Sequence, residues 1–295
     1  RDRSEGEDLG IEWEVRTGGP AIGFQPTASV TYTDDAIHLA YQNTESQVLS
    51  FADTPMVSVV APLETNPQMI MWDPETYPEV ETLADLGTAG VTINVFGGGL
   101  FSEVFVAQGI WQEDQIDPSY DGSPARFVAE NGAIAQQGFA SAEPYNYENV
   151  FEEWGKPVAF DLLHNAGFEV YSQTVAVRPD KLDELSPCLE QVVPVIQKAV
   201  ISYDADPARA NAIIIDAVAQ YQDFWVYDEG LAEFSVETQR ELGLIGNGPD
   251  SVVGNMEESR IQGIIDQIAE AGLDTNDIAP SDIMTNEFID ESIGF

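Results

Sequence analysis

The chain has 295 residues, 43% of them hydrophobic, which is enough to bury a sizeable core and long enough for about two domains of ~150 residues. Its 52 Asp and Glu against 11 Lys and Arg give a formal charge of −41, a field that repels nucleic-acid phosphates and anionic lipid surfaces and excludes both as partners. The acids are scattered among aromatic and aliphatic residues along the whole chain, so the charge belongs to a folded surface and not to a disordered tail.

Residues 11–16 alternate apolar and charged side chains as a half-buried strand does, and Gly18-Gly19-Pro20 follows as a loop. Residues 34–41 read as a turn feeding a short buried strand and residues 45–51 as one or two helical turns, with Gln42, Asn43 and Thr44 in the loop between. Residues 56–61 and 68–72 are β-rich runs separated by residues 62–67. Asp73-Pro74-Glu75-Thr76-Tyr77-Pro78 carries two prolines in six residues and is read as a domain crossing.

A second unit then opens with a buried strand at 91–96, the flexible turn Gly97-Gly98-Gly99, and a helix over 100–108 with Ser102 and Glu103 in its first turn. Ser123 as N-cap and Pro124 at the first helical position start another helix. Residues 133–140 lead into Glu143-Pro144-Tyr145, and strands at 158–163 and 170–177 precede a return crossing at Arg178-Pro179-Asp180. From Lys181 the apolar period becomes helical. Asp206-Pro207 and Asp250-Ser251 mark helix starts, and the stripe Ile261, Ile264, Ile265, Ile268 is closed by Gly272. The pattern is α/β, with residues 1–74 and 179–295 forming a discontinuous first lobe that holds the helical C-terminal third, and residues 75–178 forming the second.

Only three lysines occur, Lys156, Lys181 and Lys198, and their scarcity beside so many carboxylates points to a halophilic protein, working in concentrated salt where self-repulsion is screened. The single Cys188 excludes an internal disulfide or a multi-cysteine metal site. No apolar run reaches the roughly 18 residues that a membrane-spanning helix needs.

His38 and His164 sit in no HExxH-like or paired-carboxylate pattern, so no metal site is expected and each reads as a structural histidine. There is no GxSxG elbow, Walker-type loop or strand-coupled GxGxxG, so the sequence predicts no enzyme, no catalytic residue and no cofactor. Gly97-Gly98-Gly99 is either a loop that turns backbone N–H groups and a helix N-terminus toward a ligand, or a tight strand-to-helix turn. Glu143-Pro144-Tyr145-Asn146-Tyr147 joins an acid to two aromatics, a composition suited to stacking on a ring and accepting hydrogen bonds, or to plugging a loop. Trp72, Trp225 and Tyr227 flank predicted turns, as ligand walls or as caps on satellite cores.

Five stretches carry a family resemblance that extends from about residue 7 to residue 295. They are Val95-Phe96-Gly97-Gly98-Gly99-Leu100-Phe101-Ser102-Glu103, residues 115–124, Gln136-Gln137-Gly138-Phe139-Ala140, Ser141-Ala142-Glu143-Pro144-Tyr145, and Thr285-Asn286-Glu287-Phe288-Ile289-Asp290. The chain resembles the solute-binding proteins of ABC importers, in the branch that includes binders of pyrimidine thiamine precursors, alkanesulfonates, taurine and nitrate.

The resemblance implies a type II periplasmic-binding fold, two α/β lobes joined by two crossings that hold a ligand between them, and an extracytoplasmic monomer, periplasmic or held at the cell surface by a lipid anchor outside this segment. Its partners would be a small polar organic solute, aromatic or anionic, and an ABC-transporter permease. Asn43 and Thr44 would line the first lobe, Gly98, Gly99 and Ser102 the helix start of the second, and Ser123, Glu143 and Tyr145 would add polar and stacking contacts. The chain departs from the family in beginning just before its second strand, so one strand and one helix are expected to be missing, with a gap in the first sheet beside residues 11–16. Two rivals remain. A pyrimidine-precursor biosynthesis enzyme on the same scaffold would need a cofactor lysine and a reactive histidine in the cleft, and none of the lysines has a histidine pattern nearby. A sensory domain would use the same clamp to signal.

Overall fold

The computed structural model describes residues 10, 11, 13–16, 18, 25–221 and 226–295. Among them eight strands are found: β1 (Ala40–Gln42), β2 (Val57–Val60), β3 (Gln68–Trp72), β4 (Ile93–Asn94), β5 (Ile116–Asp117), β6 (Ala135–Phe139), β7 (Ala159–Leu162) and β8 (Thr174–Val177). The helices are α1 (Thr27–Thr33), α2 (Thr44–Ser50), α3 (Leu83–Ala89), α4 (Leu100–Ala107), α5 (Ala125–Ala129), α6 (Glu143–Asn149), α7 (Leu182–Ala205), α8 (Ala208–Tyr221), α9 (Glu229–Glu241), α10 (Glu258–Glu270) and α11 (Pro280–Ile283).

The strands form two sheets. The first has order β1-β8-β2, with β8 antiparallel to both neighbours, and the second has order β5-β4-β6-β3-β7. In the second sheet β4 runs parallel to β5 and β6, while β3 runs antiparallel to β6 and β7. Side-chain alternation explains the packing of β3: Met69 and Met71 enter a cluster with Phe127, Tyr147 and Leu162, whereas Ile70 and Trp72 enter the cluster on the opposite face with Ile93, Val95 and Phe105. Every residue of β2 and β8 is buried, the polar Ser58 and Thr174 included.

The crossings lie elsewhere than the prolines suggest. Strand β3 precedes Pro74 but is paired within the second sheet, so the first crossing is residues 61–67. Strand β8 precedes Pro179 but is paired within the first sheet, so the return crossing is residues 163–173. Pro74 and Pro179 instead lie just after strand ends, Pro179 opening a 3-10 turn at Pro179–Lys181.

The helical third is not confined to the first lobe either. Helix α7 packs on the first sheet through Leu189 and Val193, but Leu244, just past α9, is buried in the second-sheet cluster with Met69, Met71 and Phe127. Helix α10 sends its predicted stripe, Ile261, Ile264, Ile265 and Ile268, into one core with Val48 of α2 and Phe101 and Phe105 of α4, so it serves both lobes. Its own start is Glu258, eight residues past the Asp250 signal, because the Asp250 carboxylate accepts from Val252 N and Asn255 Nδ2 in a turn of its own.

Three further expectations change. Residues 11 and 13–16 form no strand, while Glu12 lies outside the described residues, and the first sheet has three strands. Residues 143–149 are a helix, tolerating Pro144 because the first turn has no intrahelical use for its missing N–H. Ser123 is not a cap: Pro124 holds the N-cap position of α5, and the Ser123 hydroxyl donates to Asp121 Oδ1 at 2.7 Å.

Candidate functional site

The strand order and the crossings bring four loop ends together. Helix α2 starts against the return crossing: Thr44 N donates to Tyr171 O at 3.1 Å, Tyr171 N donates to Thr44 Oγ1 at 3.1 Å, and Gln173 N donates to Asn43 Oδ1 at 3.0 Å. Helix α4 seats on the same crossing through Phe101, whose ring lies 6.4 Å from that of Phe168. In the second sheet the β4–α4 loop is tied to β6, since Phe96 N donates to Gln137 Oε1 at 3.0 Å. The β6–α6 loop is in turn tied to the first crossing by Ala140 N donating to Pro67 O at 2.9 Å. The ends of two parallel strands, two helix starts and both crossings therefore border one region, the place where open α/β sheets bind ligands.

The sequence-predicted residues divide into two groups. Asn43 at the start of α2, Gly98 and Gly99 in the β4–α4 loop and Glu143 at the start of α6 belong to these loop ends, and Ser123 lies in the β5–α5 loop, where Gly122 approaches Phe96. Gly98 is exposed and holds φ +82°, with no atom within 4 Å of where a Cβ would stand, and Gly99 caps α4 in an extended conformation. Thr44 is fully buried and both its hydroxyl and its N–H are used to staple the crossing, so it positions Asn43 rather than facing the rim. Ser102 is also buried, its hydroxyl donating to Gly99 O at 2.7 Å, which fixes the glycine turn. Tyr145 turns away: its ring packs on Phe234 of α9 at 5.6 Å, and its hydroxyl occupies the space left by Gly230, where a Cβ would stand 2.0 Å from it.

Glu143 is the most unusual rim residue. It is 3% exposed, its Oε2 accepts from Phe139 N at 2.9 Å, and burial pushes its carboxyl up to about 7 against two backbone hydrogen bonds that favour the charged form. It fits there because Gly138 has no side chain: a Cβ at Gly138 would come within 3.0 Å of Glu143 Cγ. Its titratable neighbours Tyr120 and Tyr147 are both raised by burial first, with the Glu143 charge adding to the shift.

Several rim residues escape a reading of the sequence. Phe96 and Phe139, at the ends of the neighbouring strands β4 and β6, remain 41% and 42% exposed, and the Phe96 ring lies 4.6 Å from that of Tyr120. Their signal was an aromatic at each strand's end just before small residues. Gln173 is exposed and holds φ +56°, a strained backbone for a residue with a side chain, with no motif to announce it. On α2, Glu45 has a buried Oε2 without a hydrogen-bond partner among the described residues, and burial raises its pKa to about 7.

His164 belongs to the return crossing, and the remaining candidates lie off these loop ends. His164 sits on a 3-10 turn at Leu163–Ala166, its pKa lowered by burial and then by Arg260. Trp72 is a core residue at 1% exposure, Cys188 is exposed on α7, and Trp225 lies outside the described residues. Among the described residues no group of His, Cys, Asp and Glu is arranged to hold a metal ion, and no helix is long and apolar enough to cross a membrane.

Comparison with solved structures decides the architecture. A putative sulfonate ABC transporter periplasmic sulfonate-binding protein from Methylobacillus flagellatus KT superposes with a TM-score of 0.62 at 15% identity, covering 97% of this chain and 83% of its own. The chain has a periplasmic-binding-protein fold. The alkanesulfonate-binding protein SsuA from Xanthomonas axonopodis pv. citri, bound to MOPS, gives a TM-score of 0.56 at 15% identity, covering 92% of this chain and 87% of its own. The periplasmic nitrate-binding protein NrtA from Synechocystis PCC 6803 gives 0.50 at 15% identity, covering 89% and 76%. No family model matches the sequence, and no curated protein matches it.

Proposed function

We propose that the protein is the solute-capturing subunit of an ABC importer, working outside the cytoplasm and delivering a small polar organic solute to a permease. The observation that carries this reading is the convergence of two helix starts and two strand ends on the pair of crossings, which lets a solute touch both lobes at once. A ligand that binds both faces favours the shut arrangement by its differential affinity, and a permease reads the shut shape. Asn43 and Gln173 serve the first lobe, and Gly98, Gly99, Ser123 and Glu143 the second, with Thr44 and Ser102 holding the rim in place. Among the proteins that share the fold, the Methylobacillus one is a putative sulfonate ABC transporter periplasmic binding protein and the Synechocystis one a periplasmic nitrate-binding protein.

The test is a thermal-shift screen of pyrimidines, sulfonates, nitrate and organic amines in molar KCl, followed by small-angle scattering on each stabilised mixture. A solute that raises Tm and lowers the radius of gyration while remaining chemically intact by NMR supports capture. Conversion of a screened solute, or no stabilisation anywhere in the screen, overturns it.

A further inference from the structure

The rim of the second lobe continues inward along one face of the sheet. Asn94 and Gln136 are register partners on β4 and β6, so their side chains share a face, and alternation puts Phe96 and Gly138 on that same face one step nearer the strand ends. Gln136 Nε2 donates to Tyr147 Oη at 2.8 Å, and Glu143 lies over Gly138.

Several donors here are already committed. Asn94 Nδ2 donates to Asp117 O at 3.2 Å and Ser119 Oγ at 3.1 Å, Arg126 pairs with Asp117 and Ser119, Phe139 N donates to Glu143, and the Ser123 hydroxyl to Asp121. The acceptors are not. Asn94 Oδ1 and Gln136 Oε1 belong to fully buried side chains and have no hydrogen-bond partner among the described residues. Asn146, one helical turn after Glu143 on the buried face of α6 and 1% exposed, has neither its Oδ1 nor its Nδ2 paired. Buried acceptors left unpaired are costly, and a partner that donates hydrogen bonds relieves that cost. A sulfonate or nitrate offers acceptors only and so leaves the Asn94 and Gln136 oxygens unpaired, whatever the Asn146 amide and the Tyr120 hydroxyl donate to it.

Resting on the capture reading above, we infer that the second lobe recognises the protonated amino or amidino head of an organic cation, with Glu143 as its counter-ion, Asn94 and Gln136 as further acceptors, and Phe96 with Tyr120 against its flat body. Aromatic faces favour a cation, and an ionised carboxylate is the strong partner for an N–H fork. The titratable groups that face Glu143 are Tyr120 and Tyr147, with Asp121 acting on Tyr120. Since burial holds the Glu143 carboxyl near 7, a fixed cation binds better above that pH than below it.

The experiment uses the full chain in 2 M KCl with benzamidinium, phenylguanidinium and 2-phenylethylammonium chlorides against benzenesulfonate, ethanesulfonate and nitrate. At least one cation is expected to raise Tm at millimolar concentration, more at pH 8 than at pH 5.5. Calorimetry should show its affinity falling at least tenfold in Glu143→Gln, while Glu258→Gln, an exposed acid on α10, leaves it unchanged and controls for bulk charge. Far-UV circular dichroism confirms that each variant is folded, and Asn94→Leu, which removes an acceptor without touching Glu143, should weaken binding independently. A response to sulfonates or nitrate alone overturns this inference and leaves capture standing. A cation response that Glu143→Gln does not change also overturns it, as does silence from all three cations. Silence across every solute class in the wider screen defeats the capture reading itself.

Discussion

Arg260 on α10 reaches Glu64 in the first crossing, Nη1 to Oε1 at 3.0 Å, while its other guanidinium nitrogens donate to the carbonyls of Glu169 and Val170 in the return crossing. Its guanidinium also lies 3.8 Å from the centroid of the Tyr171 ring. One buried side chain thus ties both connections between the lobes to a C-terminal helix. Arg260→Met is expected to cost roughly 3–5 kcal/mol, because it leaves a carboxylate and two carbonyls without their donor. Arg260→Lys should recover little of this, since a single ammonium does not reproduce the fork. Urea melts of the variants, with Glu64→Gln added to relieve the stranded charge, check both statements.

Glu45 and Glu143 are both raised from 4.5 to about 7, burial being the first cause in each. Raised carboxyls favour the fold when protonated, so their contribution is fully present below about pH 4.5 and is lost as pH rises through about 7. With each pKa unit worth about 1.4 kcal/mol, the double variant Glu45→Gln, Glu143→Gln should flatten a stability decline on the order of 5 kcal/mol between pH 5 and 8, roughly half from each carboxyl. Urea melts at fixed KCl measure the slope, and an unchanged slope refutes the assignment.

Beneath the first sheet, Ser58 Oγ donates to Gln47 Oε1 at 2.9 Å and lies 2.6 Å from Thr174 Oγ1, and Gln47 Nε2 donates to Met56 O at 3.0 Å. All three side chains are buried to 1% exposure or less. Ser58→Ala strands the Gln47 oxygen and should destabilise by about 1–3 kcal/mol. Ser58→Thr keeps the hydroxyl, and comparison of the two melts separates the hydrogen bond from the space it occupies.

Gln173 holds φ +56° on the return crossing. Gln173→Gly removes a strain of about 1 kcal/mol at the expense of some unfolded-chain entropy, so stability should hold or rise slightly. Affinity for a captured solute should fall if the side chain reaches it, and melts with and without solute separate the two effects.

The charge of −41 predicts a salt response. Raising KCl from 0.1 to 2 M shortens the Debye length from about 10 Å to below 3 Å and screens self-repulsion, so Tm should climb across the series. A flat series would remove the halophilic reading.

Local signals carried most of the elements. The strand runs at β2, β3 and β7, the Gly97-Gly98-Gly99 turn into α4 and the isoleucine stripe of α10 were all readable from periodicity and turn chemistry. The crossings were not, because proline marks a break in local structure while sheet membership is a matter of pairing at long range, as β3 with β6 and β1 with β8 illustrate. For the candidate site, residue type alone singled out Glu143 and the glycines. It could not tell that Tyr145 faces α9 or that Thr44 is spent on Tyr171, since helix phase and partner choice are set by tertiary packing. Phe96, Phe139 and Gln173 acquire meaning only from where the strand ends and the return crossing meet.

Leu244 is 1% exposed in the core of a lobe whose strands end at Leu162, more than eighty positions earlier. An excised half built from residues 68–162 would therefore carry an unfilled hole between Met69, Met71 and Phe127. Anyone splitting this molecule for a two-piece biosensor would have to graft α9 and its tail back onto that fragment, and the natural seam for such a cut lies in the sequence on either side of residues 229–244 rather than at the crossings.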